Sequence, residues 1–97
     1  MIREQWNIDK QYKENCIEIM VENLVALHAK ARITQEELAN LVGVSRQTYY
    51  AIETNRRALS WNTYLSLLLF FDTNISTHVM LRDLNAYPVD LMKKMTT

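Results

Sequence analysis

The stretch ITQEELANLVGVSRQTYYAIE, residues 33–53, contains the only glycine of this 97-residue chain, Gly43. Thr34 stands three residues before Glu37, the spacing of a capping box, in which the two residues exchange side chain–amide hydrogen bonds at the start of a helix. Gly43 is the residue type that most readily adopts the left-handed conformation that ends a helix. Ser45 is a preferred residue type at a helix N-cap. The stretch therefore predicts two short helices that meet at a three-residue turn and cross at a steep angle.

The apolar residues of this stretch stand where both helices would face inward. Counting Gln35 as position one, they occupy positions four, eight, ten, fifteen and eighteen, which are Leu38, Val42, Val44, Tyr49 and Ile52. A small residue, Ala39, stands at position five, where two crossing helices approach closely. The pattern therefore favours one specific crossing of two helices over an arbitrary amphipathic pair.

This spacing is similar to the DNA-binding helix-turn-helix of the lambda-repressor/Cro-like family, often called the XRE type. The resemblance extends over about residues 24–71 and implies an all-α fold, a compact five-helix domain with helical extensions at both termini. Two positions depart from the family pattern. Tyr49 stands where an aliphatic residue is usual, so its ring must be buried and its hydroxyl needs a partner. Asn55 stands at the usual glycine, and asparagine is the next best residue type for a left-handed turn.

The resemblance implies that the second of the two helices enters the major groove of DNA and reads bases with its N-terminal residues. The residues predicted to contact bases are Arg46, Gln47, Thr48, Tyr50 and Ala51. Arginine can donate two hydrogen bonds to guanine, glutamine can pair with adenine, and threonine or alanine methyl groups can contact a thymine methyl. For Tyr50, stacking against a sugar and simple surface exposure are both open interpretations.

A second group of residues is expected to contact the sugar-phosphate backbone. Its members are Gln35, Ser45, Asn55, Arg56 and Arg57. Gln35 resembles the family's phosphate-contacting glutamine at a helix N-terminus, where unpaired amides favour an anion. For Arg56 and Arg57, a purely solvated turn is the alternative interpretation.

The chain is predicted to be a single domain, residues 1–97, because no linker or internal repeat divides it. A first helix is expected from about residue 9 to residue 31. Ser60 predicts the start of a fourth helix, and Pro88 predicts the end of a fifth that begins near residue 77. The predicted divisions are a helix-turn-helix unit at about residues 34–54, a helical core at residues 17–86, a flexible arm at residues 1–8 and a C-terminal extension at residues 87–97.

Charge is unevenly distributed along the chain, although the formal net charge is zero. Residues 1–23 carry three basic and five acidic side chains, a net charge of −2. Residues 30–57 carry five basic and three acidic side chains, a net charge of +2. The positive excess thus surrounds the predicted turn, as a DNA contact requires. The acidic N-terminal segment is expected to lie away from DNA, where it could meet another protein.

The remaining composition argues against several function classes. The single cysteine, Cys16, excludes an internal disulfide, and the isolated His28 and His78 leave no metal-ligand cluster. We expect Cys16 to be a small buried hydrophobe and His28 to lie at the edge of the core. No catalytic arrangement is recognisable, so neither enzyme activity nor a cofactor is expected. The longest apolar run, residues 65–71, is too short to span a bilayer and no signal peptide is recognisable, so a soluble cytoplasmic protein is expected.

Apolar residues also recur at helical spacing near the C-terminus, namely Val79, Met80, Leu84 and Tyr87. They predict either closure of the helical core or a homodimer interface, which would let the protein bind an inverted-repeat operator. The resulting interpretation is a small, dimeric, sequence-specific transcriptional repressor of the kind carried by bacteria, phages and mobile elements. The alternative is an antitoxin-like or adaptor protein whose main contact is a protein partner such as a toxin, with DNA binding secondary.

Overall fold

A computed structural model describes all residues, 1–97, and its regular structure is entirely helical. A single 3-10 turn at Glu4–Trp6 precedes six α-helices. These are α1 (Lys10–Ala31), α2 (Gln35–Val42), α3 (Arg46–Glu53), α4 (Trp61–Thr73), α5 (His78–Asp83) and α6 (Val89–Met95). The all-α prediction is confirmed. None of the helices combines the length and apolar character that crossing a membrane requires.

The start of α2 carries the predicted capping box. Thr34 Oγ1 accepts a hydrogen bond from the Glu37 amide at 3.0 Å, and the Thr34 amide donates to Glu37 Oε1 at 2.9 Å. The hydrogen bonds from the Thr34 amide and hydroxyl lower the pKa of the Glu37 carboxyl, because they stabilise its charged form. Both partners of the predicted pair therefore act at this helix end.

The turn between α2 and α3 has the conformation that the glycine predicts. Gly43 has φ of 82°, and the amides of Gly43 and Val44 both donate to the Ala39 carbonyl. A Cβ added at Gly43 would meet no atom within 4 Å, so the backbone conformation, not lack of space, requires glycine there. Ser45 then caps α3 by accepting a hydrogen bond from the Thr48 amide at 3.0 Å.

The hydrophobic core joins the first four helices and receives smaller contributions from the C-terminal segment. Four of the five inward positions of the helix-turn-helix are buried, whereas Val44 is half-buried. Cys16 is buried in α1, as predicted. The buried side chains from α1 and α4 that complete this core are Cys16, Met20, Leu24, Leu27, Tyr64, Leu67, Leu68 and Phe71.

The fifth helix is shorter than the sequence pattern predicts. It ends at Asp83, because Asn85 adopts a left-handed conformation with φ of 56° and the Ala86 amide donates back to the Leu81 carbonyl. The predicted continuation of the helix to Tyr87 is therefore wrong. Helix α5 ends four residues before Tyr87, and α6 begins just after Pro88.

The two ends of the chain contact each other. The Lys94 ammonium of α6 donates to the Glu4 carbonyl at 3.0 Å, within the predicted arm of residues 1–8. The Leu91 amide donates to the Tyr12 hydroxyl at 3.1 Å, which joins α6 to the first turn of α1. The C-terminal extension thus packs beside the N-terminal end of the molecule.

Candidate nucleic-acid interface

The two faces of α3 differ in exposure. Tyr49 and Ile52 are buried against the core, with Tyr49 at 0% exposure, whereas its neighbour Tyr50 is 48% exposed. Arg46 and Gln47 are also exposed. Three of the five side chains predicted to contact bases, Arg46, Gln47 and Tyr50, therefore lie on the solvent face of α3, and the opposite face packs against the core.

A shallow cleft of about 310 Å³ joins this solvent face to the start of α2. Gln35, Arg46, Gln47 and Tyr50 line it. The structure thus brings one predicted phosphate contact and three predicted base contacts together. Both α2 and α3 begin at this cleft, and the amides that stay free at a helix start favour an anion.

Two other predicted contacts are partly occupied by bonds inside the chain. Ser45 Oγ accepts from the Thr48 amide and donates to Thr48 Oγ1 at 2.9 Å. Thr48 is half-buried, and so is Ala51 one turn later. Thr48 and Ala51 can present methyl groups to a ligand, but they are less accessible than Arg46, Gln47 and Tyr50.

The remaining predicted backbone contacts lie at the other end of α3. Asn55 has φ of 60°, so asparagine takes the left-handed position as predicted. The Arg56 and Arg57 amides both donate to the Ala51 carbonyl, at 2.7 Å and 3.1 Å. Their side chains are exposed, and none of the ion pairs of the structure includes them.

Arg57 has an acidic neighbourhood that the sequence reasoning missed. It lines a cleft of about 510 Å³ together with Glu14, Glu18 and Glu22 of α1. The four-residue spacing of these glutamates places them on one face of α1, but a local spacing does not indicate which part of the molecule that face meets. Their carboxylates lower the local positive potential at Arg57, so Arg56 is the better placed of the two for a phosphate.

Comparison with known protein families identifies the motif. A family model described as Helix-turn-helix (HTH_3) matches residues 29–77, just over half of the chain. This chain belongs to the lambda-repressor-like, XRE-type helix-turn-helix family. Members of this family are DNA-binding transcription regulators, which supports DNA as a partner of this chain. No curated protein and no solved structure was found to match the chain.

A partly buried contact between His28 of α1 and Glu53 of α3 was not predicted. His28 of α1 was expected only at the edge of the core, and it is half-buried there. Its Nδ1 lies 3.0 Å from Glu53 Oε2, and its Nε2 lies 2.7 Å from the Ile33 carbonyl oxygen. The ring packs edge-on against Tyr49, with centroids 5.6 Å apart and planes at 88°. His28 and Glu53 are 25 residues apart in sequence, so no local pattern could join them.

Tyr49 does not find the hydroxyl partner that the sequence analysis required. Its Oη is buried and no group meets it with hydrogen-bond geometry. Burial raises the pKa of the Tyr49 phenol, and the nearby Glu53 carboxylate raises it further. The tyrosine at this unusual position of the helix-turn-helix therefore contributes its ring to the core, while its hydroxyl lies near Glu53 without a hydrogen bond of standard geometry.

The four candidate dimer residues differ in accessibility. Val79 is 56% exposed, whereas Met80, Leu84 and Tyr87 are partly buried against the core. The Arg82 guanidinium covers the Tyr87 ring at 4.1 Å from its centroid. The exposed apolar surface closest to Val79 in sequence is Ile75, in the turn before α5.

Proposed function

We propose that this protein is a sequence-specific transcriptional regulator that reads double-stranded DNA by inserting α3 into the major groove. The observation that carries the proposal is the grouping of Arg46, Gln47 and Tyr50 on the exposed face of α3, beside Gln35 at the start of α2. Repression is the proposed outcome, because a protein bound at a promoter can block transcription by occupancy alone. A regulator of bacterial or phage genes would act in the cytoplasm.

Base discrimination would come mainly from two side chains. Arg46 is proposed to donate two hydrogen bonds to a guanine, and Gln47 to pair with an adenine, each worth about 1–3 kcal/mol against the wrong base. Thr48 and Ala51 would add methyl contacts to thymine. Tyr50 would pack against a sugar or a base edge.

Affinity would come largely from the phosphates. Gln35 and Ser45 at one end of α3, and Asn55, Arg56 and Arg57 at the other, are proposed to contact the sugar-phosphate backbone on either side of the groove. Because cationic contacts release counterions from DNA, binding should weaken steeply as salt concentration rises. The acidic row of Glu14, Glu18 and Glu22 lies beside Arg57, so Arg57 would be the weaker of the two arginine contacts.

We also propose that the protein binds as a homodimer on an inverted repeat. One α3 contacts only a few base pairs, and a symmetric pair doubles the contact with DNA. Val79 would lie at the centre of the interface because it is the most exposed of the four candidates. Met80, Leu84 and Tyr87 would then contribute their accessible edges.

Selection of bound duplexes from a random DNA pool tests this proposal, with an Arg46→Ala/Gln47→Ala double variant selected in parallel. We expect the wild-type chain to enrich an inverted repeat with half-sites about one helical turn apart. The folded double variant should enrich no sequence. Absence of enrichment by folded wild-type protein would contradict the proposal.

A protein partner is the second candidate function, favoured by the exposed N-terminal part of the chain. Glu14, Glu18 and Glu22 form an exposed acidic row on α1, and Trp6 is exposed in the preceding 3-10 turn. A toxin-like basic protein would fit this surface. A small co-transcribed reading frame whose product co-purifies with the chain, and no longer does after charge reversal of the row, would favour this function.

A further inference from the structure

The His28 ring joins three segments of the chain. It lies in the last turn of α1, bonds the Ile33 carbonyl in the link before α2, and meets Glu53 at the last residue of α3. The side chains of His28 and Glu53 are only 13% and 11% exposed. Of the three ion pairs in the molecule, this one has the least contact with water.

The hydrogen-bond partners determine how many protons the site holds. The Ile33 carbonyl can only accept, so Nε2 must carry a proton. An ionised carboxylate can also only accept, so one further proton must lie between Nδ1 and Glu53 Oε2. The site is therefore satisfied as imidazolium with carboxylate, or as neutral imidazole with carboxylic acid. Loss of the shared proton would leave a nitrogen lone pair facing a carboxylate 3.0 Å away.

We propose that His28 is a positioning residue for the recognition helix, acting through Glu53, and that it holds α3 only while the pair keeps its shared proton. This inference rests on the proposed DNA-reading role of α3. Loss of the proton turns an attraction into a repulsion between α1 and the end of α3. Because the same helix carries Arg46 and Gln47 at its other end, DNA affinity then falls as pH rises.

The groups that face the His28 ring are Glu53, the Tyr49 phenol and a backbone carbonyl. The shared proton is therefore assigned to His28 and Glu53. From α3, Glu53 and Tyr49 face the ring, and the link before α2 contributes the uncharged Ile33 carbonyl. On its own segment, Lys30 and Arg32 are exposed. The other histidine, His78, begins α5, and its substitution provides a matched control outside the pair.

The Glu53→Gln variant removes the need for a shared proton and keeps the size of the side chain. A glutamine amide can donate to Nδ1 of the neutral ring and can accept from Nδ1–H of the charged ring, so both protonation states stay satisfied. The probe is the duplex that the wild-type chain enriches from the random pool, and its affinity is measured from about pH 5 to about pH 8. We expect wild-type affinity to fall about tenfold across this range, an ordinary size for coupling between two sites.

The variants give distinct outcomes. Glu53→Gln should show a flat profile near the affinity of the wild type at low pH, and His78→Gln should keep the wild-type slope. Parallel profiles for wild type and Glu53→Gln would overturn the proposal.

A readout without DNA separates this proposal from the proposed function. Amide hydrogen exchange in α3, compared between wild type and Glu53→Gln at the same pH, should be faster in the wild type only at high pH. If no duplex binds at any pH but this exchange difference is present, the positioning role stands and the DNA-reading function fails. Equal exchange in both proteins at high pH would overturn the positioning role.

Discussion

The helix-turn-helix pair α2–α3 and the C-terminal pair α5–α6 are built by different means. Both α2 and α3 begin at a side-chain cap, Thr34 and Ser45, whereas neither α5 nor α6 has a side-chain cap hydrogen bond. The second pair depends on distant partners: α6 is bonded to Tyr12 and Glu4, near the other end of the chain. Nearby residues therefore set where α2 and α3 begin, whereas α5 and α6 lack such local signals and α6 is held by tertiary contacts.

This difference has a consequence for function. A locally specified helix pair keeps its exposed face in one arrangement, which lowers the cost of ordering side chains when a ligand binds. A peripheral pair with few local signals is the part of a fold that opens most easily. We therefore expect the exposed face of α3 to be the rigid region, and the segment with the candidate dimer residues, from Val79 to Tyr87, to be the more adaptable one.

The largest expected effect is a core truncation in each region. Leu38→Ala, at a fully buried position of α2, should cost about 2–5 kcal/mol of unfolding free energy. Leu91→Ala in α6 should cost less, because local opening of a terminal helix limits the loss. Urea unfolding measures both. Equal losses of unfolding free energy would mean that α6 unfolds only together with the rest of the domain.

Changes at the left-handed turns should be smaller and of opposite sign. Gly43→Ala places a Cβ at φ of 82° and should cost roughly 1–2 kcal/mol, although the space around it is open. Asn85→Gly, at the left-handed end of α5, should be neutral or slightly stabilising. Thermal unfolding would detect both shifts. A neutral Gly43→Ala would show that the turn can relax away from the left-handed conformation.

Removing the cap of α3 is the next test. Ser45→Ala should cost about 1 kcal/mol, because the Thr48 amide loses its acceptor. Ser66→Ala, inside α4, is the matched control and should be neutral or stabilising, since alanine is the better helix former. Stability measurements that give the same change for both would contradict local specification of α3.

The smallest expected effect concerns two tyrosine hydroxyls. Tyr49→Phe removes a buried hydroxyl without a partner and should leave stability unchanged or slightly raised. Tyr12→Phe removes the acceptor of the Leu91 amide and should cost about 1 kcal/mol. Urea unfolding of both variants checks the contrast. A clear loss for Tyr49→Phe would reveal a hydroxyl bond that the structure lacks.

Local signals explain which parts of the molecule were predictable. The capping box, Gly43 and Ser45 each act within a few residues, so the bounds of α2 and α3 could be derived from the sequence. Asn55 in its left-handed turn was predictable for the same reason. The early end of α5 was not, because Asn85 stands in a run whose apolar spacing continues to Tyr87.

The features of the site that escaped prediction all depend on tertiary contacts. His28 and Glu53 meet only because α1 packs against α3, and the acidic row reaches Arg57 only because of how the turn after α3 folds back. The absence of a partner for the Tyr49 hydroxyl likewise depends on what surrounds it in three dimensions. The sequence predicts which residues of α3 contact bases, but it does not predict the tertiary contacts that surround them.

Comparing Arg46→Ala with Arg57→Ala shows whether the exposed face of α3 reads the base sequence of DNA. Binding would be measured on the enriched duplex, on its single-base variants and over a salt series. We expect Arg46→Ala to lose about 1–3 kcal/mol of discrimination between bases at one position of the duplex. Arg57→Ala should weaken all duplexes alike and reduce the salt dependence. An equal loss for Arg46→Ala on every duplex would contradict a reading role for this face.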